Sequence, residues 1–166
     1  MKIGFGSFID KDLAPFKSMD EGYNCEEALA LQGKCRQPYS LYHQIPLSTL
    51  SGKEFERIVK KAPLAGNVDN PEGGLDALLQ VMLCDQVIGW RNSSRKVILL
   101  ATDMDFHYAL DGKLVGILQP NDGKCHLKYE NKMTSAYYTD SKYYDYPSIS
   151  QINYVAHQVL FFSRNS

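Results

Sequence analysis

Carboxylate and amide oxygens are the side-chain groups of this sequence best spaced to act together. Asn67, Asp69 and Glu72 stand in the stretch Asn67-Val68-Asp69-Asn70-Pro71-Glu72-Gly73-Gly74, a turn that leads into an apolar helical pattern. Asp10 follows an apolar and glycine-rich run at residues 3–9, and Asp103 directly follows the run Lys96-Val97-Ile98-Leu99-Leu100-Ala101-Thr102. Carboxylates brought together repel unless something neutralises them. A hard divalent cation does so with carboxylate, amide and carbonyl oxygens. Pro71 lacks an N–H but keeps its carbonyl, and Gly73 and Gly74 permit close backbone approach. The spacing is not that of an EF-hand loop. A solvated acidic turn, with Asp69 or Asn70 capping the next helix, is the alternative use of the same residues.

Other constellations are weaker. His43, His107, His126 and His157 are scattered. His107, four residues after Asp103, is placed to act as an acid or base, though packing or surface roles are the ordinary fate of such a residue. Gly4-Phe5-Gly6 lacks the third glycine of a dinucleotide fingerprint, and neither a P-loop nor a G-x-S-x-G elbow is present. No nucleophile, base and orienting group assemble. A metal-dependent hydrolase using Glu72, Asp103 and His107 is the enzymatic alternative.

The elements that must position these groups come from a chain of 166 residues and 18.8 kDa, the size of one domain. Apolar residues at 44% and charged residues at 22% describe an ordinary globular chain and argue against disorder or a coiled coil. A net charge of -1 leaves no basic footprint for nucleic acid. The longest strictly apolar run, residues 97–101, is too short to span a membrane. Four cysteines, none in C-x-x-C, and the acceptor Asn92-Ser93-Ser94 suit an oxidising, glycosylating compartment. Buried free thiols with a chance acceptor are the other reading. Cys125-His126 is too little for a tetrahedral zinc site. The start of the chain carries no apolar leader, so a cytosolic chain or a part of a longer one is expected. Residues 159–162 begin like a strand and then stop, which again suggests truncation.

Residues 3–9 and 39–47 read as strands, with Pro46 favouring an edge position for the second. Residues 18–37, which hold Cys25 and Cys35, read as a long polar loop. Ser51-Gly52-Lys53-Glu54 is a capping box opening a helix with Phe55, Ile58 and Val59 on one face. Leu75, Leu78, Leu79 and Met82 give a second helix. Residues 96–102 have the pattern of a strand buried on both faces of a parallel sheet. Asp111-Gly112 and Asn121-Asp122-Gly123 read as turns, and the tyrosines among residues 137–146 as a surface loop. Ser148 opens a last helix with Ile149, Ile152, Val155 and Val159 inward. Alternating strands and helices give an α/β class with a layered sheet. In such sheets ligands bind at the carboxyl ends of strands, and Asp10 and Asp103 share that edge if their strands are parallel.

These residues closely resemble the integrin β-subunit I-like domain, a von Willebrand factor A-type module. The matching stretches are IGFGSFIDK (3–11), GNVDNPEGGLDALLQ (66–80), IGWRNSSRKVILLATD (88–103), LDGKLVGILQPNDGKCHL (110–127) and YDYPSISQIN (144–153). The likeness covers residues 1–158, leaving 159–166 as a tail that does not match. It implies a Rossmann-type layered sheet flanked by helices, incomplete here. It also implies cell adhesion without catalysis, at the cell surface, through the extracellular part of a single-pass membrane protein. The implied partners are an integrin α subunit and a matrix or cell-surface protein ligand bearing an acidic residue, with no nucleic acid.

Carried over by motif, Glu72 and Asp103 match ligands of the metal-ion-dependent adhesion site, which takes Mg2+ or Mn2+. Asp10, Asn67, Asp69, the Pro71 carbonyl and Glu72 match the neighbouring site, where Ca2+ is expected. The resemblance also implies disulfides Cys25–Cys35 and Cys84–Cys125, and glycosylation at Asn92. The family's Asp-x-Ser-x-Ser strand precedes residue 1 and is absent from this sequence, so the adhesion metal is expected to keep only part of its shell. An incomplete sheet leaves edges open, which disfavours folding of the chain alone. Met104-Asp105 replaces the family's usual small pair. A truncated interaction module that keeps the calcium site is the alternative function.

Overall fold

The computed structural model describes residues 1–17, 37–130 and 134–161. The loop expected at 18–37 and its Cys25–Cys35 pairing therefore lie almost wholly outside the described residues. The first two strands are β1, Ile3–Ser7, and β2, Tyr42–Ser48. They pair antiparallel, Gly6 opposite His43 and Ser7 opposite Tyr42. Gly4 is needed there, because a Cβ would stand 3.0 Å from the Ile45 carbonyl. Two short strands, β3 at Leu127–Tyr129 and β4 at Ala136–Tyr138, complete a sheet ordered β1-β2-β4-β3. Every pairing in it is antiparallel. The parallel sheet expected from the sequence is thus not what the described strands form.

Helix α1, Gly52–Val59, opens on the expected box: Glu54 N donates to Ser51 Oγ (3.2 Å), and Ser51 N donates to Glu54 Oε2 (2.9 Å). It buries no residue fully and meets β1 through an edge-on contact of Phe55 with Phe5. Helix α2, Gly74–Leu83, is the organising element. Ala77 and its C-cap Cys84 join Leu41, Leu127, Ala136 and Tyr138 over the sheet. Leu79 and Met82 join Val155 on the other side. Each buried aliphatic chain contributes about 1.5–3 kcal/mol. A short α3, Asp85–Ile88, follows, and α4, Ile149–Ala156, packs on α2. Ser148 caps α4 by accepting from Gln151 N (3.1 Å).

Several expectations are corrected. Residues 96–102 form no strand, and Val97 and Leu99 are 73% and 90% exposed. Ile98 packs beside Leu79 and Met82. A strand buried on both faces needs ladder partners, and among the described residues none pairs with this run. β2 is not an edge strand; Pro46 is tolerated because β4 pairs only with Tyr42 and His43. Residues 159–161 continue the last helix as a π turn, His157–Phe161, instead of starting a strand, because helical winding packs Val159 against the α2 cluster. Ile149 is not inward but 54% exposed, standing in the first turn at the open end of α4. Asp111-Gly112 is not a simple turn but starts a 3-10 helix, Asp111–Val115, entered through Leu110 at φ 93°.

Candidate cation site

Backbone bonds bring the acidic segments together. The chain leaving β1 is held when Gly73 N donates to the Ile9 carbonyl (2.7 Å). Glycine suits this approach, since a Cβ at Gly73 would lie 3.1 Å from that oxygen and 3.3 Å from Asp10 Oδ1, tight enough to push them back. On its other side the turn is stitched to the segment after 96–102. Glu72 N donates to the Asp105 carbonyl and His107 N to the Glu72 carbonyl, both at 2.9 Å. Val68 N donates to the Phe16 carbonyl (2.8 Å) and fixes the turn's start.

Asp10 is fully buried. Its Oδ1 accepts from Lys11 N (2.7 Å) and from the Tyr146 hydroxyl, while its Oδ2 accepts no hydrogen bond. His107 Nε2 lies 3.4 Å from that Oδ2 and 2.9 Å from Asp69 Oδ2. The Asn67 amide nitrogen sits 3.3 Å from Asp69 Oδ1, 3.5 Å from the Pro71 carbonyl and 3.4 Å from Glu72 Oε2. Three oxygens thus surround one amide at distances long for hydrogen bonds. A half-turn of that amide exchanges its donor for an acceptor.

The electrostatics match this crowding. Burial, followed by the charges of Asp10 and Asp69, pushes the Glu72 carboxyl up to about 7; His107 opposes the rise and Asp103 adds to it. Burial also raises Asp69 against the pull of His107. For His107, burial alone favours the neutral ring. Asp10, Asp111 and Asp69 outweigh it and lift the imidazole to about 9.

Five of the residues singled out in the sequence, Asp10, Asn67, Asp69, Pro71 and Glu72, meet in one place. Asp103 stays at the exposed margin, reaching Glu72 through its charge. The convergence does not need parallel strands, because turn-to-loop bonds replace the expected sheet edge. His107 is 3% exposed, which fits the packing role expected of it, and it also sits centrally among the aspartates. Its ring clusters with Phe16 and Tyr146, with centroids 4.5 and 4.7 Å away. Its Nδ1 is 3.1 Å from Asp111 Oδ2. The signal available in the sequence was the spacing of His107 to Asp111. Beside the site, Pro71, Asp105, Phe106, Tyr108 and Asp111 line an open hollow of about 380 Å3.

Cys84 and Cys125 are bonded, with Cα atoms 4.9 Å apart, joining the end of α2 to the approach to β3. Asn92 is exposed. Among the described residues no helix is long and apolar enough to cross a membrane.

The integrin beta chain VWA domain family matches residues 1–160. The chain belongs to the integrin beta family. It is 45% identical over 153 residues to integrin beta pat-3 of Caenorhabditis elegans, covering 92% of this chain and 18% of that protein. Integrin beta-PS of Drosophila melanogaster is 44% identical over 154 residues, with 91% of this chain and 17% of that protein covered. Integrin beta-1 of Gallus gallus is 46% identical over 151 residues, with 91% and 18% covered. The chain thus spans less than a fifth of the length of these integrin beta relatives. Integrin beta chains are adhesion receptor subunits and not enzymes, which sets the hydrolase alternative aside. An α/β class agrees with the helices and small sheet described above.

Proposed function

We propose that this chain is the cation-binding part of an integrin beta adhesion receptor subunit. Asp10, Asn67, Asp69, the Pro71 carbonyl and Glu72 hold a calcium ion. Glu72 and Asp103 contribute to a second site for magnesium or manganese, where a carboxylate from a matrix or cell-surface protein completes the shell. The observation that carries this reading is Asp10 Oδ2, fully buried, without a hydrogen bond, and turned toward the Asp69 side of the cluster. A buried carboxylate oxygen without a hydrogen bond is costly, and a hard cation is a partner suited to the oxygens of Asp10, Asp69, Glu72 and the Pro71 carbonyl gathered around it. The metal contributes charge that draws in an acidic ligand. The chain's own residues fix its position and neutralise it.

An integrin α subunit is the proposed partner. Leu110, Leu114 and Leu118, at 63%, 68% and 78% exposed around the 3-10 helix, support such a contact. The domain part is residues 1–158 and the tail 159–166, placed on the outer face of the cell. A glycan at Asn92, a Cys25–Cys35 bridge and the Cys84–Cys125 bridge belong to the same reading. In the layered von Willebrand factor A arrangement, residues 96–102 become a strand once a neighbour pairs with them. The alternation of exposed Val97 and Leu99 with packed Ile98 supports this.

Calorimetric titration of calcium into the 166-residue chain is the test. The expected result is saturable heat, lost when Asp69→Ala and Glu72→Ala are combined. Absence of calcium heat in the unsubstituted chain rejects the proposal. If calcium binds but no α subunit is retained on co-expression, the chain acts as a cation-binding interaction module alone.

A further inference from the structure

We infer that Asp10, Asp69 and His107 form a nitrogen-bearing metal position that accepts a borderline d-block cation, zinc above all. Three ligand atoms, one from each residue, lie within 4.8 Å of one another. His107 Nε2 stands 2.9 Å from Asp69 Oδ2 and 3.4 Å from Asp10 Oδ2. Metal–ligand bonds of ~2.0–2.2 Å at tetrahedral angles separate adjacent donors by about 3.3–3.6 Å, so only small movements are required. Asp10 Oδ2 accepts no hydrogen bond, and a metal bound there takes the place of the His107 Nε2 proton between the two aspartates.

The surroundings of His107 are those of a metal-bound imidazole. With Nδ1–H donating to Asp111 Oδ2 (3.1 Å) and the Nε2 proton released on metal binding, the Nε2 lone pair faces the two aspartates. Carboxylate–histidine–metal chains of this kind orient the ring and raise its basicity as a ligand. Asp111 Oδ2 is itself held by Tyr108 N (3.2 Å). Phe16 and Tyr146, themselves in contact, both pack against the ring. An imidazole nitrogen suits zinc and its neighbours better than calcium, which prefers oxygen throughout. The position shares Asp10 and Asp69 with the proposed calcium site but needs neither Asn67, Pro71 nor Glu72. The two cations therefore compete, and zinc displaces calcium.

The test titrates zinc chloride alone, then calcium chloride alone, into the metal-stripped 166-residue chain. Cobalt(II) serves as a visible-absorption probe. One zinc is expected per chain, with cobalt d–d bands. His107→Gln lowers zinc affinity at least tenfold and abolishes the bands while calcium binding persists. Asp111→Asn weakens zinc about 10–100-fold, the usual loss when a ligand's outer partner is removed. Glu72→Gln has the reverse effect, losing calcium and keeping zinc. If His107→Gln does not fold, the unsubstituted chain loaded with one equivalent of copper(II) must show imidazole nitrogen coupling in electron spin echo spectra, lost when zinc is added. The inference is overturned by no zinc binding in the unsubstituted chain, by equal zinc affinity in His107→Gln, or by copper spectra without nitrogen coupling. Zinc binding without any calcium binding removes the adhesion reading and leaves this inference standing.

Discussion

Lys11→Met tests how the two halves of the site are held in register. Lys11 and Asp76 are both fully buried and form an ion pair, one residue after Asp10 and four after Glu72. The ammonium also donates to the Ser141 carbonyl (2.9 Å) and lies 4.3 Å from the centre of the Tyr146 ring. Methionine keeps the apolar stem and removes the charge. Asp76 then stays buried with neither oxygen paired, since its Oδ1 already lacks a partner. Burial pushes the Asp76 carboxyl up to about 6 even with Lys11 opposing it, so losing Lys11 raises it further. Breaking one side of a buried pair costs about 3–5 kcal/mol. For a chain of this length that corresponds to a fall in Tm of about 6–20 °C. The double variant Lys11→Met/Asp76→Leu leaves no orphaned charge and should recover ~1–4 kcal/mol of the loss. Urea denaturation followed by circular dichroism, run as a double-mutant cycle, measures both quantities. A single variant within about 1 kcal/mol of the unsubstituted chain refutes the reasoning. So does a double variant no more stable than the single one.

Other outcomes follow from particular side chains. His43 is buried on β2 with neither ring nitrogen hydrogen-bonded, and burial lowers its imidazole to about 4. The folded state therefore holds the ring neutral. Its contribution is complete above the unfolded value near ~6.5 and is lost as pH falls toward 4, by up to about 3 kcal/mol. Denaturation midpoints from pH 7 to 4.5 should drop less steeply in His43→Gln, and parallel profiles for the two chains exclude this account. Gly73→Ala should push the Ile9 carbonyl away, costing about 1–3 kcal/mol and weakening calcium binding in the same titration; unchanged affinity contradicts the placement of Asp10. A methyl at Gly112 would collide with Asp145 Oδ1, which accepts from Gly112 N (2.8 Å). Gly112→Ala should lower the melting temperature by several degrees, and an unchanged melt counts against that contact. Leu99→Lys should reduce self-association seen by light scattering, because Leu99 is 90% exposed in an apolar run; undiminished scattering assigns association to another surface.

The legible parts of the fold were those set by local rules. Ser51 and Glu54 form their reciprocal cap whatever surrounds them. The apolar positions of α2 face its two clusters because helical period alone determines the face. Residues 96–102 misled because an apolar run reports a preference for burial, and burial requires a partner. Antiparallel pairing of β1 with β2 was equally hidden, since β1 carries two glycines and no strict alternation. Within the site, Asp10, Asn67, Asp69, Pro71 and Glu72 stood out by oxygen chemistry and short spacing. His107 did not, because its role depends on Asp10, 97 positions earlier, and on rings from Phe16 and Tyr146.

The hydroxyl of Tyr146 reaches across 136 positions to Asp10. Joining chain ends so far apart carries an entropic penalty of about 4 kcal/mol, beyond that of the shortest loops. During synthesis, the aspartate is exposed long before the tyrosine that orients it has been made. In a nascent polypeptide the surroundings of Asp10 are therefore complete only after Tyr146 has been made and its segment folds back.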